Sequence, residues 1–393
     1  MQIDNDSYSY QQLYSLIKSN IYKYTNNFKN IFTVRKDSPI NFIIDFLTII
    51  ESGNYPLIID SYIKESAINL HNIADETLFL ASTSGTTGQP KIYSRDWLSW
   101  KSGFEVCNDL FHLKNLKSLV TSSPLTTSLG LHTLMCSLYL GKTFIPITEP
   151  SQLSALNETC ALFTVPTYLI KNIEYIHSLH SINTLFLGGG TLEIEIINQL
   201  KKQLTFTKII EFYGSSETSF ISYQRVDNGK IPYSVGKLFP NTHIRIEKNQ
   251  RMWVKSPYLF SGYVTQSKPE SWLTDDLGML KNNVLYLLGR HSDIIEHGAN
   301  KIFPQEIEQM AKDLCETCIA FGISDKKYGQ NIALLLIKPI EKEHLLKTLS
   351  QRLPKYKLPK VYLKTESLTL TDNYKISRKT LEQNYFRGDY HEF

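Results

Sequence analysis

Apolar and polar positions fall along the chain in short blocks of two kinds. Residues 8–24 carry apolar side chains at helical spacing, with Leu13, Leu16, Ile17 and Ile21 on one side. Residues 40–52 repeat the pattern with Phe42, Phe46 and Ile50, and Gly53-Asn54 ends it. Shorter segments with apolar residues at their centres read as strands: 56–60, 77–81, 118–122, 142–146, 161–165, 184–187 and 209–213. With 129–140 as a further helix and glycine at several strand ends, these blocks predict a mostly parallel sheet. Ligands of such sheets gather where the strands end.

From 234 to 288 the texture changes to short β runs at 244–247, 252–255 and 285–288, which predict a compact β subdomain. The polar stretch 289–293 separates these from a second alternation: helix 304–314, strands 318–323 and 332–337, helix 341–352 and strand 361–363. The fold class expected is α/β: a large N-terminal domain of mostly parallel α/β layers plus a small β subdomain over 1–290, then a small α+β domain over 291–393.

Composition narrows the function classes. An apolar content of 42% and a charged content of 20% describe an ordinary soluble globular protein. A net charge of +4 with scattered lysines argues against nucleic acid, and no run approaches the length of a membrane span. The first six residues have neither a basic start nor an apolar core. Five thinly spread cysteines fit a reducing cytoplasm. Cys315-Glu316-Thr317-Cys318 lacks a second ligand pair nearby and runs into an apolar strand, so these two are expected to be structural.

The chemistry centres on Ser82-Thr83-Ser84-Gly85-Thr86-Thr87-Gly88-Gln89-Pro90-Lys91, read as a loop between strand 77–81 and a helix starting near Asp96 and Trp97. Glycines let the backbone approach a polyphosphate, hydroxyls and N–H groups donate, and the lysine neutralises charge. The spacing is not that of a Walker loop. A second constellation, Glu211-Phe212-Tyr213-Gly214-Ser215-Ser216-Glu217, puts an aromatic at a strand end, a glycine turn, a hydroxyl and an acid together. Tyr213 offers a face for a purine, Ser216 a hydroxyl for phosphate, and Glu217 a hard oxygen ligand for Mg2+.

These motifs, with those that follow, resemble the adenylate-forming superfamily of acyl-CoA synthetases, peptide-synthetase adenylation domains and luciferases. Ser84-Gly85-Thr86-Thr87-Gly88-Gln89-Pro90-Lys91 has the family's spacing, and Tyr213-Gly214-Ser215-Ser216-Glu217 resembles its Tyr-Gly-x-Thr-Glu with Ser216 for threonine. Gly188-Gly189-Gly190-Thr191-Leu192 resembles the segment that lies along adenine. Trp272-Leu273-Thr274-Asp275-Asp276-Leu277-Gly278 resembles Trp-x-x-Thr-Gly-Asp-x-Gly, with Asp275 in place of a glycine. Gly289-Arg290-His291-Ser292-Asp293 with Gly298 through Glu308 is the longest match, and Lys375-Ile376-Ser377-Arg378 through Leu381 closes the order. The motifs cover residues 77 to 381; fewer residues precede the phosphate loop than in full-length relatives, which implies a compact form with a reduced N-terminal subdomain.

The resemblance implies ATP, Mg2+ and CoA as cofactors and a small carboxylic acid as substrate. It implies catalytic roles for Lys375, Glu217 and Thr87, with Glu217 on the metal. Nucleotide contacts would come from Thr83, Ser84, Gly85, Thr86, Thr87, Gly88, Lys91, Gly188, Gly189, Gly190, Tyr213, Gly214, Ser216, Asp276, Arg290 and Lys375. Ser292 takes the hinge position of a mobile C-terminal domain, and Gly298 the lining of the thiol channel. Residues 123–130 hold no acid to pair with an α-ammonium and resemble Pro-Leu-x-His-x-x-Gly, with Thr127 for histidine. An acid without an α-amine, with CoA as acceptor, follows. A stand-alone enzyme loading a carrier protein, a nucleotide-binding paralogue without turnover, and a homodimer remain open.

Overall fold

The computed structural model describes residues 1–3, 6–24, 28–35, 37–59, 73–82, 91–176, 181–204, 207–227, 229–264, 266–315, 317–366 and 377–392. The phosphate-loop positions Thr83, Ser84, Gly85, Thr86, Thr87 and Gly88, together with Tyr374 and Lys375, lie outside the described residues. The chain forms two compact units, one of residues 1–245, 253–272 and 281–285, the other of 246–252, 273–280 and 286–393.

In the first unit, a five-stranded sheet runs Gly262–Tyr263, Ile92–Asp96, Thr77–Ser82, Tyr55–Ile58, Ile31–Val34. The last three strands are parallel, and Pro39–Glu51 is the crossover helix between two of them. Ser38 caps that helix, Pro39 opens it, and Phe42, Ile43, Phe46 and Ile49 are its buried face. The strand Ile92–Asp96 corrects the expected strand–loop–helix order. It runs antiparallel to Thr77–Ser82, with Ser82 opposite Ile92, so residues 83–91 join two strands of a hairpin. All five of its residues are buried, with a strand on each side to pair their backbone groups. The helix starts only at Trp97, where the Asp96 carboxylate accepts from the Ser99 amide at 2.7 Å.

A second sheet of this unit carries, in order, Ser234–Leu238, Ser219–Arg225, Lys208–Ser215, Ile182–Leu187, Cys160–Thr164, Ser118–Thr121 and Thr143–Pro146. The five from Lys208–Ser215 onward are mutually parallel, as the alternating pattern predicts, and Ser219–Arg225 and Ser234–Leu238 continue it antiparallel. Ser234–Leu238, where the stretch expected to form a β subdomain begins, thus lies in this sheet. Between the sheets lies an aromatic seam. Ring centroids step from Phe46 to Phe79 (6.0 Å), Trp100 (4.8 Å) and Phe104 (5.9 Å), then to His132 (4.9 Å) and Phe220 (5.0 Å). Each such ring contributes about 1.5–3 kcal/mol by leaving water, so the two sheets are fixed against one another.

In the second unit, Thr317–Asp325 and Gly329–Ile337 form a long antiparallel hairpin, extended by Val361–Lys364 in parallel. The helices Pro304–Ala311, Lys342–Arg352 and Arg378–Arg387 complete the α+β composition expected of the C-terminal part. Cys318 Sγ lies 3.3 Å from the Glu308 carbonyl and Cys315 Sγ 3.6 Å from that of Ala311. The thiols thus take up carbonyls at the end of a helix, a structural use.

Candidate functional site

The strand Lys208–Ser215 does not stop at Tyr213, as the glycine suggested; it runs through Gly214, and the register shifts between Tyr213 and Gly214. A Cβ on Gly214 would stand 1.6 Å from the Ser219 carbonyl oxygen. The glycine is therefore required by close approach of the partner strand, not by a turn of its own. The turn follows at Ser216, Glu217 and Thr218, where the Ser215 and Thr218 hydroxyls bond at 3.1 Å.

Bonds from several elements hold this turn. Ser216 Oγ meets Ser128 Oγ at 2.9 Å, and Ser128 Oγ meets the Tyr93 hydroxyl at 3.0 Å. Ser128 opens the helix Ser128–Leu140, which Thr127 caps through the Gly130 amide. Arg95, 2% exposed, donates to the Ser216 carbonyl and, at 2.7 Å, to the Tyr258 carbonyl. The Phe260 amide donates to the Glu217 carbonyl at 2.8 Å. The Tyr263 hydroxyl donates to Glu217 Oε1 at 2.8 Å. Glu217 Oε2 has no hydrogen bond among the described residues, so one hard oxygen is open to a cation. No cluster of three metal-ligating side chains occurs among the described residues. One open carboxylate oxygen is the donor set Mg2+ takes when phosphates supply its other ligands, so the residues fit that ion.

Gly188, Gly189 and Gly190 follow the strand Ile182–Leu187 and lead to the helix Ile194–Gln203. A Cβ on Gly188 would meet the Phe212 ring at 2.4 Å, and Gly189 has a φ of +74°. The loop is tied to the neighbouring strand by Glu211, whose carboxylate accepts from the Leu192 amide and from Lys230 Nζ, both at 2.8 Å. The glycine loop and the Tyr213–Glu217 stretch therefore flank the same strand end. Lys91, the last residue of the phosphate loop, has its Nζ 5.4 Å from the centroid of the Tyr263 ring.

In the second unit, Asp275 and Asp276 lie on the extended strand Trp272–Lys281. Arg290 Nε donates to Asp276 Oδ1 at 3.2 Å, joining the two proposed ribose contacts. Ser292 Oγ donates to Asp275, so the two residues that depart from the family's motifs here are partners. Gly298 turns the hairpin between Ile295–His297 and Asn300–Ile302 with a φ of +60°. Arg378, two residues past the undescribed 367–376, donates to Asp293 at 2.6 Å, Glu308 at 2.7 Å and the Ala320 carbonyl at 3.0 Å.

Sequence reasoning missed Tyr263, Arg95 and Ser128. Gly262-Tyr263 is a two-residue strand with no periodic pattern, and Arg95 reads as a solvated charge until the fold buries it.

Residues 33–264 match the family model described as AMP-binding enzyme, and the chain belongs to that family. It is 30% identical, over 99% of its length and 95% of the relative's, to the putative long chain fatty acid-CoA ligase VraA of Staphylococcus aureus strain MRSA252. Among solved structures it resembles ATP-bound MatB from Rhodopseudomonas palustris at a TM-score of 0.82, with 17% identity over 97% of this chain and 94% of that one. It also resembles the o-succinylbenzoate CoA synthetase MenE from Bacillus subtilis with its acyl-adenylate OSB-AMP, at a TM-score of 0.81 and 20% identity over 96% and 94% of the two chains. These likenesses establish the α/β fold. No helix among the described residues is long and apolar enough to cross a membrane.

Proposed function

We propose that this chain is an AMP-forming acyl-CoA ligase for a carboxylic acid without an α-amine. The acid's carboxylate oxygen attacks the α-phosphorus of ATP, and pyrophosphate leaves. The thiol of CoA then attacks the acyl carbon, AMP leaves, and the thiol proton passes to solvent. The carrying observation is the rigidly held Ser216–Glu217 turn, with one carboxylate oxygen open and Lys91 against the same tyrosine that binds the other.

In this reading, Glu217 binds Mg2+, which neutralises phosphate charge, and Ser216 orients phosphate. Residues 83–91, Thr87 among them, hold the departing pyrophosphate, and Lys375 bridges carboxylate and α-phosphate. Gly188–Gly190 and Tyr213 pack on adenine, while Asp276 and Arg290 hold the ribose. The 291–393 segment then turns about Ser292 as a lid, and Gly298 comes to line the thiol path. Residues 123–130 carry no acid, and an unpaired buried ammonium costs several kcal/mol, which supports an acid without an α-amine. The names of the relatives support CoA as acceptor. Five unpaired cysteines favour the cytoplasm.

The test is pyrophosphate release over a panel of fatty, branched, aryl and α-amino acids, with CoA or a phosphopantetheinyl carrier protein. Thioester formation from non-amino acids and CoA is expected. Preference for an amino acid overturns the substrate assignment, and acceptance of the carrier alone overturns the acceptor. Light scattering during turnover tests for a homodimer.

A further inference from the structure

Tyr263 touches both of the groups assigned above to Mg·ATP. Its hydroxyl donates to Glu217 Oε1 at 2.8 Å, and Lys91 Nζ lies 5.4 Å from its ring centroid. The side chain is itself fixed. Tyr263 stands opposite Tyr93 where Gly262–Tyr263 pairs with Ile92–Asp96. Phe260 and Trp272 meet its ring edge-on at 5.3 Å and 5.7 Å. The Phe260 amide binds the Glu217 carbonyl at 2.8 Å, and the Val264 amide binds the Ile92 carbonyl at 3.1 Å. Residues 260–264 thus run from the metal-binding turn to the strand that leaves the phosphate loop.

The chemistry of the partner matters as much as its place. A lysine or arginine on Glu217 would orient it but also cancel the charge that a cation needs. A phenol orients one oxygen and leaves the carboxylate its full negative charge. A phenol is protonated at neutral pH, so it serves as a donor. We propose that Tyr263 is a positioning residue that presents Glu217 Oε2 to Mg2+ and holds Lys91, at the end of the phosphate loop, in register with it. The proposal rests on the reading of Glu217 as the metal carboxylate.

The test compares the full-length wild type with Tyr263→Phe, Tyr263→Leu and Glu217→Gln. Mn2+ binding in the presence of ATP is read by electron paramagnetic resonance, beside the Mg2+ dependence of pyrophosphate release. Tyr263→Phe removes one hydrogen bond to a charged group. It should weaken Mn2+ binding and raise the half-saturating Mg2+ by about ten-fold. Its rate at saturating Mg2+ and its thioester formation from supplied acyl-AMP should change far less than its half-saturating Mg2+. Tyr263→Leu should in addition raise KM for ATP, because Lys91 loses the ring. A purely structural role lowers the rate equally at every Mg2+ concentration, and that result overturns the proposal. Unchanged Mn2+ affinity in Tyr263→Phe, with loss in Glu217→Gln, overturns the tyrosine's role and leaves the metal reading standing. Unchanged affinity in Glu217→Gln overturns both.

Discussion

His132 offers a stability test whose size follows from its surroundings. It sits on the helix Ser128–Leu140, one turn beyond Ser128, and is 7% exposed. Trp100, Phe104 and Phe220 surround it at centroid distances of 5.7, 4.9 and 5.0 Å, and neither ring nitrogen has a hydrogen-bond partner among the described residues. Burial, and to a lesser degree the Arg95 charge, lower its pKa from 6.5 to about 3. Between those values, the unfolded chain takes up a proton that the folded chain refuses. Stability is therefore unaffected above pH 6.5 and falls as the pH drops from there towards 3.

For one group with this shift, moving from pH 7.5 to pH 5.0 costs about 2 kcal/mol. His132→Phe keeps a ring in the seam and removes the titration. At pH 7.5 it should be neutral or slightly stabilising, since an unsatisfied buried N–H is removed. The assay is urea unfolding followed by tryptophan fluorescence, because Trp97, Trp100, Trp253 and Trp272 all lie in the first unit. Wild type should lose about 2 kcal/mol more than His132→Phe between the two pH values. Equal losses would refute the argument. So would an imidazole titrating near pH 6.5 in the folded protein by NMR. Should phenylalanine overfill the site, His132→Leu makes the same comparison.

Lys375→Ala should slow ATP-dependent adenylation by about 10²–10³-fold while thioester formation from supplied acyl-AMP falls much less; equal losses would mean that the lysine supports the fold. Tyr374→Gly, the accompanying control, should leave the thioester step alone and speed only adenylation if loop docking limits it. Glu217→Gln should depress Mg·ATP turnover far more than binding of preformed acyl-AMP, as isothermal titration would report. Gly214→Ala drives a methyl into the Ser219 carbonyl, so it should destabilise the first unit by about 3 kcal/mol in the same urea assay; a change below about 1 kcal/mol would mean that the hairpin yields there.

Much of the fold was legible because burial is periodic. The parallel strands of the larger sheet were found within a residue or two, since runs such as 184–187 have apolar cores and end at polar residues or glycine, whereas Ile31–Val34 in the five-stranded sheet was not expected. Errors gathered where a tertiary neighbour decides the conformation. Tyr93-Ser94-Arg95 has no strand pattern of its own, yet flanking strands on both sides make it one. Gly214 looked like a turn because glycine commonly marks one; its real constraint is a carbonyl from the next strand. Asp275 and Asp276 each have a partner in the same unit, Ser292 and Arg290, which their spacing in the sequence does not reveal. Motif residues of the site were legible as chemistry. The residues that hold them were not, because Tyr263, Arg95 and Ser128 bear no sequence relation to Glu217.

Arg95 also bears on how a chain of low net charge can attract a polyphosphate. The total of +4 is spread over 393 residues and creates little long-range field. Against the Ser216–Glu217 turn, however, a buried guanidinium donates to two carbonyls, and its Nε has no partner among the described residues. Burial lowers its pKa only to about 10, so it stays charged at neutral pH. Its donors go to neutral carbonyls, and its charge is not cancelled by direct contact with a carboxylate. Water cannot screen it as it screens a surface lysine. The turn thereby lies beside a buried positive charge, while Glu217, in the reading proposed above, offers a negative group to the cation. Opposite charges near one turn, each bonded to neutral partners, can attract both halves of Mg·ATP without the two protein groups pairing with one another. This reasoning makes the identity of the neutral partners as important as the charges themselves. A carboxylate introduced beside Arg95, or a cation in place of Tyr263, would close that pair and remove the attraction.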